Sequence, residues 1–156
     1  MQIGGAHYML VGDEREDVMA RGSFEVAAIG WVQSPLRGLG DAPRQGDEGA
    51  PDAWLVFEPE AAEGMSDLVV GDQIIVLTWL DKGRRNILTT HPRNDDNRPA
   101  VGVFSTRSPD RPNPIGLHPV QVLAINGRRV QVSGLEAIDG TPFLDVKPVL
   151  LPPEQR

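Results

Sequence analysis

Cysteine is absent from all 156 residues. That excludes disulfides, thiolate nucleophiles, zinc–thiolate centres and iron–sulfur clusters. No apolar run approaches the length of a membrane span. The N-terminus lacks the basic-then-apolar order of a secretion signal and carries Asp13, Glu14, Glu16 and Asp17 instead, so a cytoplasmic protein is expected. There is no internal repeat. The length suits one domain with a sizeable core and leaves little room for a second.

What the chain does have is turn-formers. Its 17 Gly and 14 Pro suit short strands joined by many turns better than a helical bundle. Hydrophobic residues at 40% and charged residues at 24% are ordinary for a globular domain. The net charge of −7 is unevenly spread. Residues 1–72 hold 4 basic and 14 acidic side chains, −10, whereas residues 73–156 hold 11 basic and 8 acidic, +3. Lys82 to Arg111 alone holds 7 Lys/Arg against Asp95, Asp96 and Asp110, +4.

Residues 1–22 have no clear period and read as an extension, either disordered or a packing arm. Residues 23–150 read as the domain and 151–156 as a tail. Phe24–Gln33 and Trp54–Phe57 are β-branched and aromatic enough for strands. Between them, Ser34–Asp52 is a long Gly/Pro-rich loop, a length usually tied to function or disorder. Pro59–Leu68 predicts a short helix with Pro in its first turn. Leu68–Leu80 contains the strongest strand, apolar enough to be buried on both faces, and Ala100–Thr106 predicts another. Pro119–Ile125 and Arg128–Ser133 flank Asn126-Gly127, the preferred pair for a type I′ hairpin. Asp139-Gly140 marks a turn before the strand Phe143–Leu150. Six or more strands with one or two short helices predict an all-β fold, a small single-sheeted β-barrel with long loops, because open edges are a liability.

The most unusual stretch is Arg107–Pro119, with Pro109, Pro112, Pro114 and Pro119 inside 11 residues. Each proline fixes its own φ and biases the residue before it toward extended geometry. The loop is therefore stiffened before a ligand arrives, which lowers the entropy cost of binding. A plain structural loop is the competing reading.

Two runs in this region carry a resemblance. Val103-Phe-Ser-Thr-Arg-Ser-Pro-Asp-Arg-Pro-Asn-Pro-Ile-Gly116 and Val132-Ser-Gly-Leu-Glu-Ala-Ile-Asp-Gly-Thr-Pro-Phe-Leu-Asp-Val-Lys-Pro148 resemble the TsaA-like family, also called YaeB or TrmO. Ile29–Pro35 and Ala42–Gly46 extend the match to about residues 25–150. The resemblance implies a single-sheeted barrel that binds S-adenosylmethionine, usually as a homodimer. It also implies methylation of N6 of threonylcarbamoyladenosine at position 37 of tRNA, with no metal and no membrane partner. Two departures stand out. The chain stops soon after the Lys-Pro motif, where typical bacterial members continue into a second domain. Leu80-Asp81 stands where those members have His-Gln.

By family position Pro43, Arg44, Gln45, Leu80, Asp81, Arg107, Leu117, Ile138, Asp139, Gly140 and Thr141 would hold the cofactor. Arg107 can fork onto a carboxylate. The acceptor N–H of a carbamoylated adenine lies between two electron-withdrawing groups, so a modest base could take its proton. Asp139 is the first choice for that base, with Asp81 and His91 behind it; Arg107 and Asn113 complete the expected catalytic set. Lys82, Arg84, Arg85, Arg93 and Arg98 form the candidate phosphate-contacting patch. Arg111 is expected on the acceptor side or at a dimer contact. Lys147 either meets a phosphate or pairs with Asp145, which shares its strand face. Two other readings stay open: the same cofactor with a small non-tRNA acceptor, and a cofactor-binding interaction module without turnover.

Overall fold

The computed structural model describes residues 22–38, 40–43 and 46–153. All but the last residue of the expected arm, the end of the tail, and the expected cofactor contacts Arg44 and Gln45 lie outside the described residues. Eight strands are present among them: β1 Gly30–Gln33, β2 Ala53–Phe57, β3 Gln73–Trp79, β4 Thr89–Thr90, β5 Val101–Gly102, β6 Ile115–Asn126, β7 Arg129–Val132 and β8 Pro142–Pro148. Six of them close in the order β1-β2-β7-β6-β3-β8, with β8 pairing back onto β1. Every pairing is antiparallel. Strands β4 and β5 form a separate two-stranded ribbon. Closure leaves no open edge in the main sheet.

Alternation of side chains explains why these strands enclose a core. In β6, Gly116, His118, Val120 and Val122 are buried while Ile115, Leu117, Pro119 and Gln121 are exposed. Strand β3 buries Ile74, Val76 and Thr78 on the same inner face. With Val32, Leu55, Phe57, Val130, Val132, Leu135 and Phe143 they fill the barrel. Phe57 and Phe143 meet edge to face at 5.0 Å, a geometry worth about 0.5–1.5 kcal/mol beyond area burial.

The local expectations shift in instructive ways. Strand β3 is buried on one face and half-buried on the other, not buried on both, because it lines a barrel rather than a layered sheet. Strand β1 begins at Gly30, so most of Phe24–Gln33 is not strand. The predicted strand Ala100–Thr106 shrinks to β5, after which Val103–Ser105 forms a 3-10 turn with Val103 fully buried and Phe104 exposed. The predicted helix is a 3-10 segment, Pro59–Met65. In the β6–β7 hairpin Asn126 pairs with Arg129, so the turn residues are Gly127 and Arg128, one place later than the type I′ reading. Gly127 has φ of +59° and Arg128 does not share the left-handed region, the pattern of a type II′ turn. The slip has a tertiary cause: Arg128 exchanges main-chain and side-chain bonds with the backbone of Phe57.

Candidate functional site

A cleft of about 1760 Å³ opens where β6 begins and β3 ends. Its walls come from five stretches far apart in sequence: the long loop after β1, the turn after β3, the β4–β5 ribbon, the proline loop and the segment between β7 and β8. Hydrogen bonds stitch these together. Leu80 N–H donates to Pro114 O, which ties the turn after β3 to the proline loop. Arg84 forks onto Asp110, and Arg85 donates to Pro112 O and Asn113 Oδ1 while stacking on Trp79 at 5.2 Å. On the opposite wall Leu135 N–H donates to Pro51 O and Asp139 N–H to Leu36 O. Thr141 donates back to Ile138 O through both its N–H and its hydroxyl, closing the turn.

Of the residues expected to hold a cofactor, Pro43, Leu80, Asp81, Arg107, Leu117, Ile138 and Thr141 line this cleft. Arg107 is exposed, and among the described residues its one hydrogen bond, to Leu117 O, is long at 3.5 Å, so its guanidinium is available. His91 also lines the cleft, with Nδ1 on Arg98 O. Gly140 and Asn113 are not among the lining residues.

Asp139 is placed differently from the expected base. It is not among the cleft-lining residues. Its Oδ1 accepts the Ser34 N–H at 3.0 Å and its Oδ2 pairs with Arg37 at 2.7 Å. Both oxygens are spent on holding the long loop against the β7–β8 segment.

The expected phosphate patch is also largely committed. Arg84 pairs with Asp110, Arg93 with Glu48 and Arg98 with Asp95, and Arg85 is held by the proline loop. Arg111 donates through one nitrogen to Val103 O and Thr106 O, and so braces the ribbon to the loop. Its Nε is buried without a hydrogen-bond partner among the described residues. Lys147 pairs with Asp145 at 2.8 Å. Of these cations Lys82 and Arg111 line the cleft without an ion pair among the described residues, and Arg111 is spent on backbone carbonyls. The Arg84–Asp110 pair has an electrostatic signature. Burial pushes the Asp110 carboxyl up, but the Arg84 hydrogen bonds and charge outweigh it and hold it below the usual carboxylate range. Hydrogen bonding to Asp110, then its charge, push Arg84 up.

The floor of the cleft holds a polar cluster that the sequence reading missed. His118 Nδ1 lies 2.6 Å from Glu136 Oε1, and its Nε2 lies 2.7 Å from Thr78 Oγ1. His118 and Thr78 are buried and Glu136 is partly exposed. A carboxylate only accepts, so Nδ1 carries the proton. Gly116 makes the cluster fit. A Cβ there would lie 2.3 Å from Thr78 Oγ1 and 2.5 Å from His118 Nε2. The signal was in the sequence: period-two alternation puts His118 on the inner face, and a buried histidine needs partners.

The profile of the tRNA-methyltransferase O N-terminal domain matches residues 31–152. The chain belongs to the TrmO N-terminal domain family. A probable S-adenosyl-L-methionine-binding protein of Methanothermobacter thermautotrophicus is 39% identical over 125 residues, 80% of this chain and 89% of that protein. An S-adenosyl-L-methionine-binding protein of Archaeoglobus fulgidus is 41% identical over 119 residues, 76% of this chain and 84% of that one. Another A. fulgidus relative, a probable S-adenosyl-L-methionine-binding protein, is 40% identical, yet this chain spans 33% of its length. The crystal structure of TrmO from Pseudomonas aeruginosa superposes with a TM-score of 0.67 at 26% identity, over 83% of this chain and 57% of that one. The TrmO fold thus agrees with the all-β architecture read from the sequence, and the matched region contains every cleft wall.

The cleft also suits the cofactor that the relatives' names carry. Leu80, Leu117 and Ile138 offer apolar surface for an adenine, and Arg107 offers a fork for a carboxylate. Asp81 offers negative charge for cationic groups. The buried Arg111 Nε leaves one donor of a lining residue unspent. Among the described residues no group of three His, Asp or Glu could hold a metal ion, and no helix is long and apolar enough to cross a membrane.

Proposed function

We propose that this protein is an S-adenosylmethionine-dependent methyltransferase that methylates N6 of threonylcarbamoyladenosine at position 37 of tRNA, working as a homodimer. The observation that carries the reading is the convergence of Arg107, Leu80, Asp81, Leu117, Ile138 and Thr141, from four separate stretches, on one cleft in a TrmO-family barrel. S-adenosylmethionine, when bound, supplies a methyl group on a positively charged sulfur.

The protein's task is positioning. Arg107 takes the amino-acid carboxylate, and Leu80, Leu117 and Ile138 pack on the adenine. Asp81 offers a carboxylate to the cationic groups. Proline-stiffened geometry between Arg107 and Pro119 holds this wall in place before binding, so less entropy is lost on alignment. Exposed Phe104, at the cleft wall, offers a flat face to a nucleobase. Lys82, at the cleft and without an ion pair among the described residues, is the cation offered to a phosphate.

The test compares modified nucleosides in tRNA from cells with and without the protein. Loss of methylated threonylcarbamoyladenosine on deletion is expected; unchanged tRNA sinks the tRNA assignment. One observation favours a second reading, a small non-tRNA acceptor. The arginines expected to meet RNA are engaged within the chain. Calorimetric binding of S-adenosylmethionine together with failure to bind tRNA would select that reading.

A further inference from the structure

We propose that Glu136, oriented by His118 and Thr78, is the base that takes the proton from the acceptor nitrogen. This inference rests on the methyltransferase reading above and deepens it.

Three observations carry it. First, the residue that the sequence offered as base is committed elsewhere: Asp139 has both oxygens in hydrogen bonds to Ser34 and Arg37. Second, Glu136 lines the cleft with one oxygen fixed and one bare. Oε1 is held by His118 at 2.6 Å, while Oε2 has no hydrogen bond among the described residues and is reached by solvent. A Cβ on Gly46 would lie 3.2 Å from Oε2, so this oxygen sits beside Gly46 of the long loop. Third, the relay behind it is built for orientation. Thr78 is fully buried, His118 is nearly so, and Gly116 is the residue that lets the imidazole lean across to Thr78. A carboxylate held on one oxygen by a buried imidazole presents the other in a fixed direction, the base-plus-orienter arrangement that general-base catalysis requires.

The proton balance is simple. The acceptor N–H proton goes to Glu136 Oε2 as the nitrogen's electron pair bonds the methyl carbon. The carbon–sulfur pair stays on sulfur and discharges the sulfonium. Glu136 later releases the proton to solvent. Glu136 is the catalytic residue in this scheme and His118 a positioning residue.

The experiment uses the full chain with S-adenosylmethionine and tRNA bearing threonylcarbamoyladenosine. Glu136→Gln is expected to bind S-adenosylmethionine within about threefold of wild type and to lose at least about 100-fold in single-turnover rate. His118→Leu is expected to lose about tenfold in rate with the same affinity, as outer-shell partners typically do. His118→Asn, which keeps a side-chain N–H in reach of Glu136, restores most of it. In the free protein, nitrogen-15 NMR is expected to show the proton of His118 on Nδ1, slow to exchange, and shifted by Glu136→Gln. Wild-type rates in Glu136→Gln overturn the base assignment and leave the methyltransferase reading standing. A loss of cofactor affinity beyond about tenfold in Glu136→Gln makes Glu136 a cofactor ligand and overturns it as well. Absence of the Nδ1 proton overturns the relay. A wild-type protein that binds the cofactor but transfers nothing to this tRNA overturns the tRNA reading and its base together.

Discussion

Strand β6 belongs to two different proteins along its length. From Val120 to Val122 its inner side chains meet Ile74, Val76, Val130 and Val132 in a hydrocarbon core. From Gly116 to His118 the same face meets Thr78 and Glu136 and floors the cleft. Both ends are equally buried, so the hydrophobic effect alone does not explain the second. A buried polar cluster stabilises only when every member finds a partner, and otherwise costs more than an apolar core. Here the partners are found, at the expense of tolerance: Gly116 has no room even for a Cβ. A register shift in the β3–β8 ladder falls between Leu77 and Thr78, beside the polar end, where bulges commonly re-aim side chains near sites.

The contrast predicts different failures at the two ends. Phe143→Ala removes a fully buried ring from the apolar side and is expected to cost about 3–5 kcal/mol of stability, measured by urea unfolding. A loss below about 1 kcal/mol would mean that the core repacks and is not a tight barrel interior. Gly116→Ala is expected to cost less, about 1–3 kcal/mol, but to do its damage locally by forcing Thr78 and His118 apart. The His118 imidazole NMR signals should move in this variant while Phe143→Ala leaves them near their native positions. The reverse pattern would remove the distinction between the ends.

These two ends were not equally legible in the sequence. Alternation along β6 and the count of short strands made the barrel readable. Arg107 and Ile138 were readable through motifs that hold them at fixed spacing, and Leu80 only from its place at the end of the central strand. The pairings of the polar end were not, because their partners are remote: His118 and Glu136 are 18 residues apart, Arg84 and Asp110 are 26, Arg93 and Glu48 are 45. Charge counting along Lys82–Arg111 therefore read as an open cationic patch what the fold turns into cross-loop clamps. Val103 misled in another way. Val101, Val103 and Thr106 are β-branched and favour a strand, but Val103–Ser105 forms a 3-10 turn that Thr106 closes by donating its N–H and hydroxyl to Val103 O.

Within the polar end, two carboxylates three residues apart carry opposite assignments, and a substitution at each separates them. Asp139→Asn keeps an oxygen for the Ser34 N–H and loses only the exposed pair with Arg37, whose side chain is 76% exposed. Its expected cost is below about 1 kcal/mol, with transfer close to wild type. Glu136→Gln is expected to reverse that balance, with little change in stability and most of the rate gone. If Asp139→Asn instead abolishes transfer at full cofactor affinity, the assignments exchange and Asp139 is the base after all.

The smallest expected effect concerns the outer wall, where Arg84 and Asp110 clamp the turn after β3 to the proline loop. Because Asp110 titrates lower in the folded chain than in the unfolded one, the folded state binds its proton less readily. The clamp's contribution is therefore present at neutral pH, above the unfolded carboxylate value of about 3.9, and is lost as pH falls through the lower folded value. Thermal unfolding of wild type and Asp110→Asn measures it. Wild type should melt slightly higher at neutral and mildly acidic pH, with the two curves converging only once the pH has fallen through the lowered folded value. The gap is expected to shrink in high salt, since the Arg84 side chain is 70% exposed. A gap that stays constant across the acid range would mean that Asp110 holds the loop by shape and hydrogen bonding, not by charge, and the cleft's outer wall would then resemble its apolar end more than its polar floor.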